Sequence, residues 1–198
     1  DAVRSSPGTK PIVLCNPGRT ETGRRAALSH TGALAAPRRI VEGACRQAGI
    51  LLVDDVEEAW LLATTLASGL RPESSNVCVM TDGGGHATLV FDALDAEGMQ
   101  APPLSQATQR DLAALLPPRC GLANPVDFAG VAETEPRALA PVLDVCLADP
   151  EVGAVVLAGH FGGYHRIGGA GLEADEIATA ESFRASVGRH RKPFLVHS

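Results

Sequence analysis

Short runs of consecutive apolar residues alternate along this chain with longer stretches of helical period, and that alternation restricts its fold more than any other feature. Pro11-Ile12-Val13-Leu14-Cys15, Ile50-Leu51-Leu52-Val53, Val77-Cys78-Val79-Met80-Thr81, Val152 to Ala158 and Pro193 to Val196 read as strands without polar alternation. Strands of that kind are covered on both faces, as in parallel sheets. Between them, 32–48, 56–67, 87–97, 105–116, 136–148 and 175–189 read as helices. Leu34, Ile40, Val41 and Ala44 supply the apolar side of the first, Gly49 its stop, and Ser105 the N-cap of the fourth. The expected fold is therefore α/β: a doubly wound parallel sheet in a three-layer α/β/α arrangement.

The 198 residues suit one domain or slightly more, and 45% hydrophobic residues with only 4% aromatics imply a core of Ala, Val, Leu and Ile. The one linker-like stretch is Ser68 to Asn76, SGLRPESSN. It divides the chain into an expected first domain, 1–72, and a second, 76–198. With 17 basic and 23 acidic residues the net charge is −6, which argues against nucleic acid or an anionic membrane surface as partner. Cys15, Cys45, Cys78, Cys120 and Cys146 are odd in number and without C-x-x-C spacing, so they read as reduced, buried residues of a cytoplasmic protein. No Cys/His spacing matches a metal cluster, and no metal site is expected. No apolar stretch is long enough for a membrane span.

In doubly wound folds ligands gather beyond the carboxyl ends of the strands. The loops that matter are then 16–32, 81–87, 121–131 and 159–171. The first reads as a polar loop carrying Arg19, Arg24, Arg25, Ser29, His30 and Thr31. His30 is expected at the start of the helix that follows, where free N–H groups and the macrodipole favour an anion. Histidine can also form a covalent intermediate. Thr81-Asp82-Gly83-Gly84-Gly85-His86-Ala87 lets backbone approach a ligand but fits neither the dinucleotide nor the P-loop fingerprint. Asn124-Pro125-Val126-Asp127 reads as an Asx-type turn. Loop 159–171, with His160, Tyr164, His165, Arg166 and several glycines, reads as a mobile lid or partner contact.

Taken in order, these segments resemble the NDP-forming acyl-CoA synthetases, relatives of succinyl-CoA synthetase. The resemblance rests on Lys10-Pro11-Ile12, Gly18-Arg19-Thr20, Gly23 and Ser29-His30-Thr31-Gly32-Ala33-Leu34-Ala35; on Thr81 to Gly85; and on Leu116-Pro117-Pro118 with Asn124 to Asp127. It implies a flavodoxin-like, succinyl-CoA synthetase-like fold. It makes His30 the transiently phosphorylated residue, passing a phosphoryl group between an acyl phosphate and ADP/ATP. Ser29, Thr31, Gly32, Arg19, Gly83, Gly84 and Gly85 become phosphate-binding, with Asp82, His86, Asn124 and Asp127 shaping the site. In the family, helix N-termini of two neighbouring domains stabilise the phosphohistidine.

The resemblance also implies that no cofactor is held within this chain. CoA, ATP/ADP and Mg2+ would be bound by CoA-binding and ATP-grasp domains or subunits, with a small-molecule acyl substrate and an oligomeric assembly. Asn16 stands where the family often has lysine, Ala36 and Ala87 where it has glycine, Asp82 where it has asparagine and His86 where it has proline. Those departures motivate an alternative, a non-catalytic regulatory or binding module like the one fused to protein lysine acetyltransferases.

Overall fold

The computed structural model describes residues 10–18, 20–31 and 36–197. They fall into two compact units, Asp1–Gly69 and Leu70–Ser198.

In the first unit, β1 (Val13–Cys15) and β2 (Leu51–Val53) pair in parallel, Leu14 opposite Leu52. Three helices accompany them: α1 (Glu21–Thr31), α2 (Arg38–Ala48) and α3 (Val56–Ala67). Thr20 starts α1, its hydroxyl accepting the Gly23 N–H at 3.1 Å. Pro37, which cannot donate a helical hydrogen bond, stands before α2, and Gly49 ends it in the left-handed conformation at φ 68°. A reciprocal capping box opens α3: Asp55 accepts the Glu58 N–H at 2.7 Å, while Glu58 accepts the Asp54 N–H at 3.0 Å.

Two expectations change here. The helix expected over 32–48 begins at Arg38, and Leu34 lies outside the described residues. Within it Cys45 is buried, whereas Ile40 is 60% exposed and Ala44 is exposed. The stretch expected as a loop, 16–32, is mostly the helix α1.

The second unit carries a four-stranded parallel sheet in the order β4-β3-β5-β6, with β3 at Val77–Thr81, β4 at Val126–Asp127, β5 at Ala154–Ala158 and β6 at Phe194–His197. The period-2 geometry of a strand divides its side chains between two layers. Cys78, Met80, Val155 and Leu157 face the larger core, against Leu112 of α5 (Gln106–Leu115), Val142, Leu143 and Cys146 of α6 (Leu139–Ala148) and Phe183 of α8 (Glu173–His190). Val77, Val79 and Val156 face a smaller one beneath Ala87, Val90, Phe91 and Leu94 of α4 (Gly84–Ala96). Asp149 ties the α6–β5 turn to the α5 start, accepting Thr108 Oγ1 at 2.6 Å and the Glu151 N–H at 2.9 Å.

Asn124 to Asp127 is not a free polar turn, because Val126 and Asp127 extend the sheet beside Met80 and Thr81. Nor is 159–171 open coil: it contains α7 (Tyr164–Gly168) and a 3-10 turn, Ala170–Leu172. Among the described residues no helix is long and apolar enough to cross a membrane.

Candidate functional site

Strand order places one crevice by topology. The chain leaves β3 toward β4 on one side and β5 toward β6 on the other, so the space beyond the carboxyl ends of β3 and β5 is the switch point of this sheet. Two loops face it. The first is the tight turn Asp82-Gly83 into α4, and the second is Gly159 to Gly163, leading into α7.

Thr81, wholly buried at the end of β3, brackets the first turn: its hydroxyl accepts the Gly83 N–H at 3.2 Å and donates to the Gly83 carbonyl at 2.9 Å. Gly83 is the extended N-cap of α4, so Gly84, Gly85 and His86 form its first turn rather than the loop expected before Ala87. No atom lies within 4 Å of where a side chain at 83, 84 or 85 would begin. A helix start carrying unpaired N–H groups and the positive end of the macrodipole thus meets open space.

Asp82 is turned away from that start. The residue is 9% exposed; Oδ2 accepts the His160 N–H at 3.0 Å and the hydroxyl of Tyr164 in a short hydrogen bond, while Oδ1 is buried with no hydrogen-bond partner among the described residues. Tyr164 is wholly buried. Burial and the neighbouring carboxylate push its phenol pKa far above the ordinary value, so it remains a donor at every physiological pH. The approach explains Gly159: a Cβ there would collide with the Asp82 carboxylate. The ring of His160 meets that of His86 edge-on, with centroids 5.0 Å apart.

A second carboxylate holds the other side of the same loop. Glu176, in the first turn of α8, accepts the N–H groups of Gly162 at 2.8 Å, Tyr164 at 2.9 Å and His165 at 3.2 Å, and contacts His165 Nδ1 at 2.7 Å. Burial alone would raise its pKa, but the histidine and the three backbone donors hold it below the ordinary glutamate value. Loop 159–165 is therefore held between two buried carboxylates. A shallow cleft remains along its outer side, lined by His160, Phe161, Arg166 and Ile167.

The remaining candidates divide. Asn124 is spent on structure: its amide oxygen accepts the Val79 N–H and its nitrogen donates to the carbonyls of Val77 and Pro102, all at 2.9 Å. It completes the edge of β3 where β4 is too short to do so. Asp127 ends β4 in register with Thr81 and forms an Asx turn, accepting the Ala129 N–H at 2.9 Å.

In the first unit Ser29, His30 and Thr31 lie in the last turn of α1, not at a helix start. The end of a helix offers carbonyls and the negative end of the macrodipole, so the anion argument made for a helix start does not apply to these residues. Ser29 turns its hydroxyl back onto the Ala26 carbonyl at 2.7 Å. Arg19 and Gly32, and the side chains of His30 and Thr31, lie outside the described residues.

Sequence reasoning missed Glu176 and the partners of Asp82. The partners lie 78 and 82 residues away from Asp82, a distance at which local pattern carries no signal. The one available hint is that Tyr164 is the only tyrosine of the chain and sits in a glycine-rich stretch.

Comparison with known proteins gives the chain its relatives. Residues 1–66 match the family model described as a succinyl-CoA ligase like flavodoxin domain. The chain is 36% identical, over 64% of its length, to the alpha subunit of an ADP-forming acetate–CoA ligase II of Pyrococcus furiosus, of which it covers 27%. It is 32% identical, over 75% of its length, to the alpha subunit of ligase I from the same organism, of which it covers 31%. In three dimensions it resembles a dinucleotide-forming acetyl-coenzyme A synthetase 1 of Ca. Korarchaeum cryptofilum, solved in complex with phosphate and ADP. The TM-score is 0.72 at 27% identity, covering 94% of this chain and 38% of that one. The chain thus spans well under half the length of the relatives it matches. Residues 1–66 thus carry a succinyl-CoA ligase like flavodoxin domain, and the chain is similar over part of its length to ADP-forming acetate–CoA ligase alpha subunits and to an acetyl-coenzyme A synthetase.

Proposed function

We propose that this chain is the phosphohistidine-bearing portion of an ADP-forming acyl-CoA synthetase, with His30 as the phosphoryl carrier. The observation that carries the proposal is that Ser29-His30-Thr31-Gly32 falls inside the segment matched as a succinyl-CoA ligase like domain, in a chain similar to ADP-forming acetate–CoA ligase alpha subunits.

In this reading, phosphate displaces CoA from an acyl-CoA to give an acyl phosphate. The imidazole nitrogen of His30 attacks its phosphorus, the P–O bond to the acyl oxygen breaks and the carboxylate leaves. ADP then takes the phosphoryl group and the imidazole is regenerated. The chain's own part in this reading is the nucleophile, His30. CoA, ADP and Mg2+ belong in this proposal to CoA-binding and ATP-grasp domains or subunits. Among the described residues no three His, Cys, Asp or Glu side chains converge to hold a metal ion, and the proposal gives none of them that role.

One observation bears on the alternative of a regulatory module. Asp82 is one of the departures that motivate that reading, with Asn16 and Ala87, as a negative charge placed beside a phosphate. Its carboxylate instead faces His160 and Tyr164, so the residue is compatible with an anion at the start of α4. The test is to mix the chain with the complementary ATP-grasp component, labelled ATP and Mg2+. Acid-labile label is expected on the wild type and not on His30→Ala. Equal labelling of both would overturn the assignment.

A further inference from the structure

Two histidines meet beyond the carboxyl ends of β3 and β5. His86 is the third residue of α4, and His160 follows β5 by two residues. Their backbones are firmly held. His160 donates its N–H to Asp82 Oδ2 at 3.0 Å, and its carbonyl accepts the Gly163 N–H at 2.8 Å. His86 follows the Gly83 N-cap, which Thr81 fixes through both of its backbone polar groups. The rings are left free. His86 is half-buried and His160 exposed, and neither ring makes a hydrogen bond or ion pair among the described residues. His165 and His190, by contrast, are engaged by Glu176 and Asp144.

The two rings converge with centroids 5.0 Å apart and planes at 89°. An edge-on packing contact has that geometry. So does a shared metal ion: with metal–nitrogen bonds of about 2.0 Å, two imidazoles on one tetrahedral ion hold their centres about 5 Å apart. Unengaged ring nitrogens on fixed backbones favour the second use, because a ligand pair must be pre-placed and unoccupied. The charges nearby oppose one another. The buried Asp82 carboxylate, with Oδ1 unpartnered, attracts a cation, whereas the α4 start and Arg166 repel one. Affinity must therefore come from the metal–nitrogen bonds themselves. That selects ions that imidazole suits, such as Zn2+, Cu2+ or Ni2+, over Mg2+ and Ca2+, which take oxygen ligands. No third His, Cys, Asp or Glu joins the pair among the described residues, so the other coordination positions fall to water.

We propose that His86 and His160 form a two-histidine site for a divalent transition-metal ion of the zinc class, which on binding ties the first turn of α4 to the loop after β5. The proposal is independent of any role of His30. His86 stands where the family that the sequence resembles has proline, a residue that cannot ligate a metal, so the site is particular to this chain.

The test is a Zn2+ titration of the intact chain, read on the histidine ring resonances by NMR so that each imidazole reports for itself. The signals of His86 and His160 are expected to move together. His86→Ala or His160→Ala should each weaken the response of the remaining ring at least about tenfold, since even partners behind metal ligands are worth that much. Movement of only one of the two rings would overturn the proposal. So would no movement up to about 1 mM Zn2+, which would leave the pair as a packing contact, or an equal response to Mg2+. Hydrogen exchange supplies the second readout. Zn2+ should slow exchange at 84–87 and 159–163 together in wild type, and at neither in His86→Ala. Slowing at one segment alone would overturn the bridge. Should an alanine variant fail to fold, His160→Gln keeps a polar side chain of similar reach and must lose the His86 response in the same way.

Discussion

The two units are written in the same strand–helix grammar but bury very different amounts of it. In Leu70–Ser198 both faces of the sheet are covered, and Val79, Met80, Leu112, Val126, Leu143, Val155, Leu157 and Tyr164 have no exposure. In Asp1–Gly69 the buried apolar residues among those described are Cys45 and Val53, while Ile40, Val56, Trp60 and Leu61 stand 60–77% exposed. Among the described residues the first unit has a two-stranded parallel pair, which offers little surface to hide the apolar sides of its helices, whereas four strands present two full faces. Folding free energy from apolar burial is therefore concentrated in the second unit.

The most direct way to break that comparison is a cavity in the larger core. Leu143 of α6 is wholly buried, and Leu143→Ala should cost about 3 kcal/mol, a methyl-lined void included. Denaturant unfolding of the second unit, followed by exchange at β3 and β5, measures it. A cost as small as that of Val53→Ala in the first unit would show that the two cores are not so unequal.

Glu176 comes next, with an effect that depends on pH. Its folded pKa lies below the ordinary glutamate value of about 4.5. The stability it contributes is thus fully present above about pH 4.5 and is lost as pH falls through the lower folded value. Near neutral pH, Glu176→Gln should cost about 2 kcal/mol, since a charged acceptor of three backbone donors and a histidine is replaced. On acidification below pH 4.5 the gap between variant and wild type should narrow. A gap that widened there would mean that the carboxyl is stabilised in its protonated form.

How much of this was legible beforehand differs by element for physical reasons. β3 and α3 were read at their observed bounds, Val77–Thr81 and Val56–Ala67. The one is an unbroken apolar run between a linker and glycines, and the other has a capping box in its first residues. The pattern expects a loop over 16–32 where α1 runs, because Ala26 to Leu28 and Ala33 to Ala36 look alike to a periodicity test. The deciding signal is Thr20 at the N-cap, thirteen residues before Ala33. At the candidate site the glycines and Asp82 were singled out, but not what Asp82 does. Its charge beside a glycine loop looked harmful only because the hydroxyl and amide that absorb it come from a distant loop. Asn124 was read as a local turn for the same reason, although its amide serves strand β3.

A smaller effect separates the capping of α3 from its packing. Asp55→Ala removes the acceptor of the Glu58 N–H and should cost about 1 kcal/mol of helix stability, visible as faster exchange in the first turn of α3. Because α3 buries no side chain, that loss should stay local and leave the unfolding of the second unit unchanged. A cooperative fall in both would show the two units to be energetically coupled.

The smallest expected effect is the sharpest probe of the comparison. Trp60, the only tryptophan of the chain, is 73% exposed on α3, with Val56 77% and Leu61 63% exposed beside it. In the isolated chain Trp60→Ala should change stability by less than about 0.5 kcal/mol, as surface substitutions do. Its fluorescence should show the red-shifted emission and easy iodide quenching of indole in water. Because no other tryptophan contributes, the signal reports this helix face alone. Contiguous exposed apolar side chains of this kind are uncommon on a monomer surface unless something covers them. The comparison therefore makes a conditional statement. If adding the complementary domains shifts Trp60 emission to the blue and protects it from iodide, the imbalance between the units belongs to the isolated chain. If the emission stays that of exposed indole in the assembly, the first unit is intrinsically the less buried of the two.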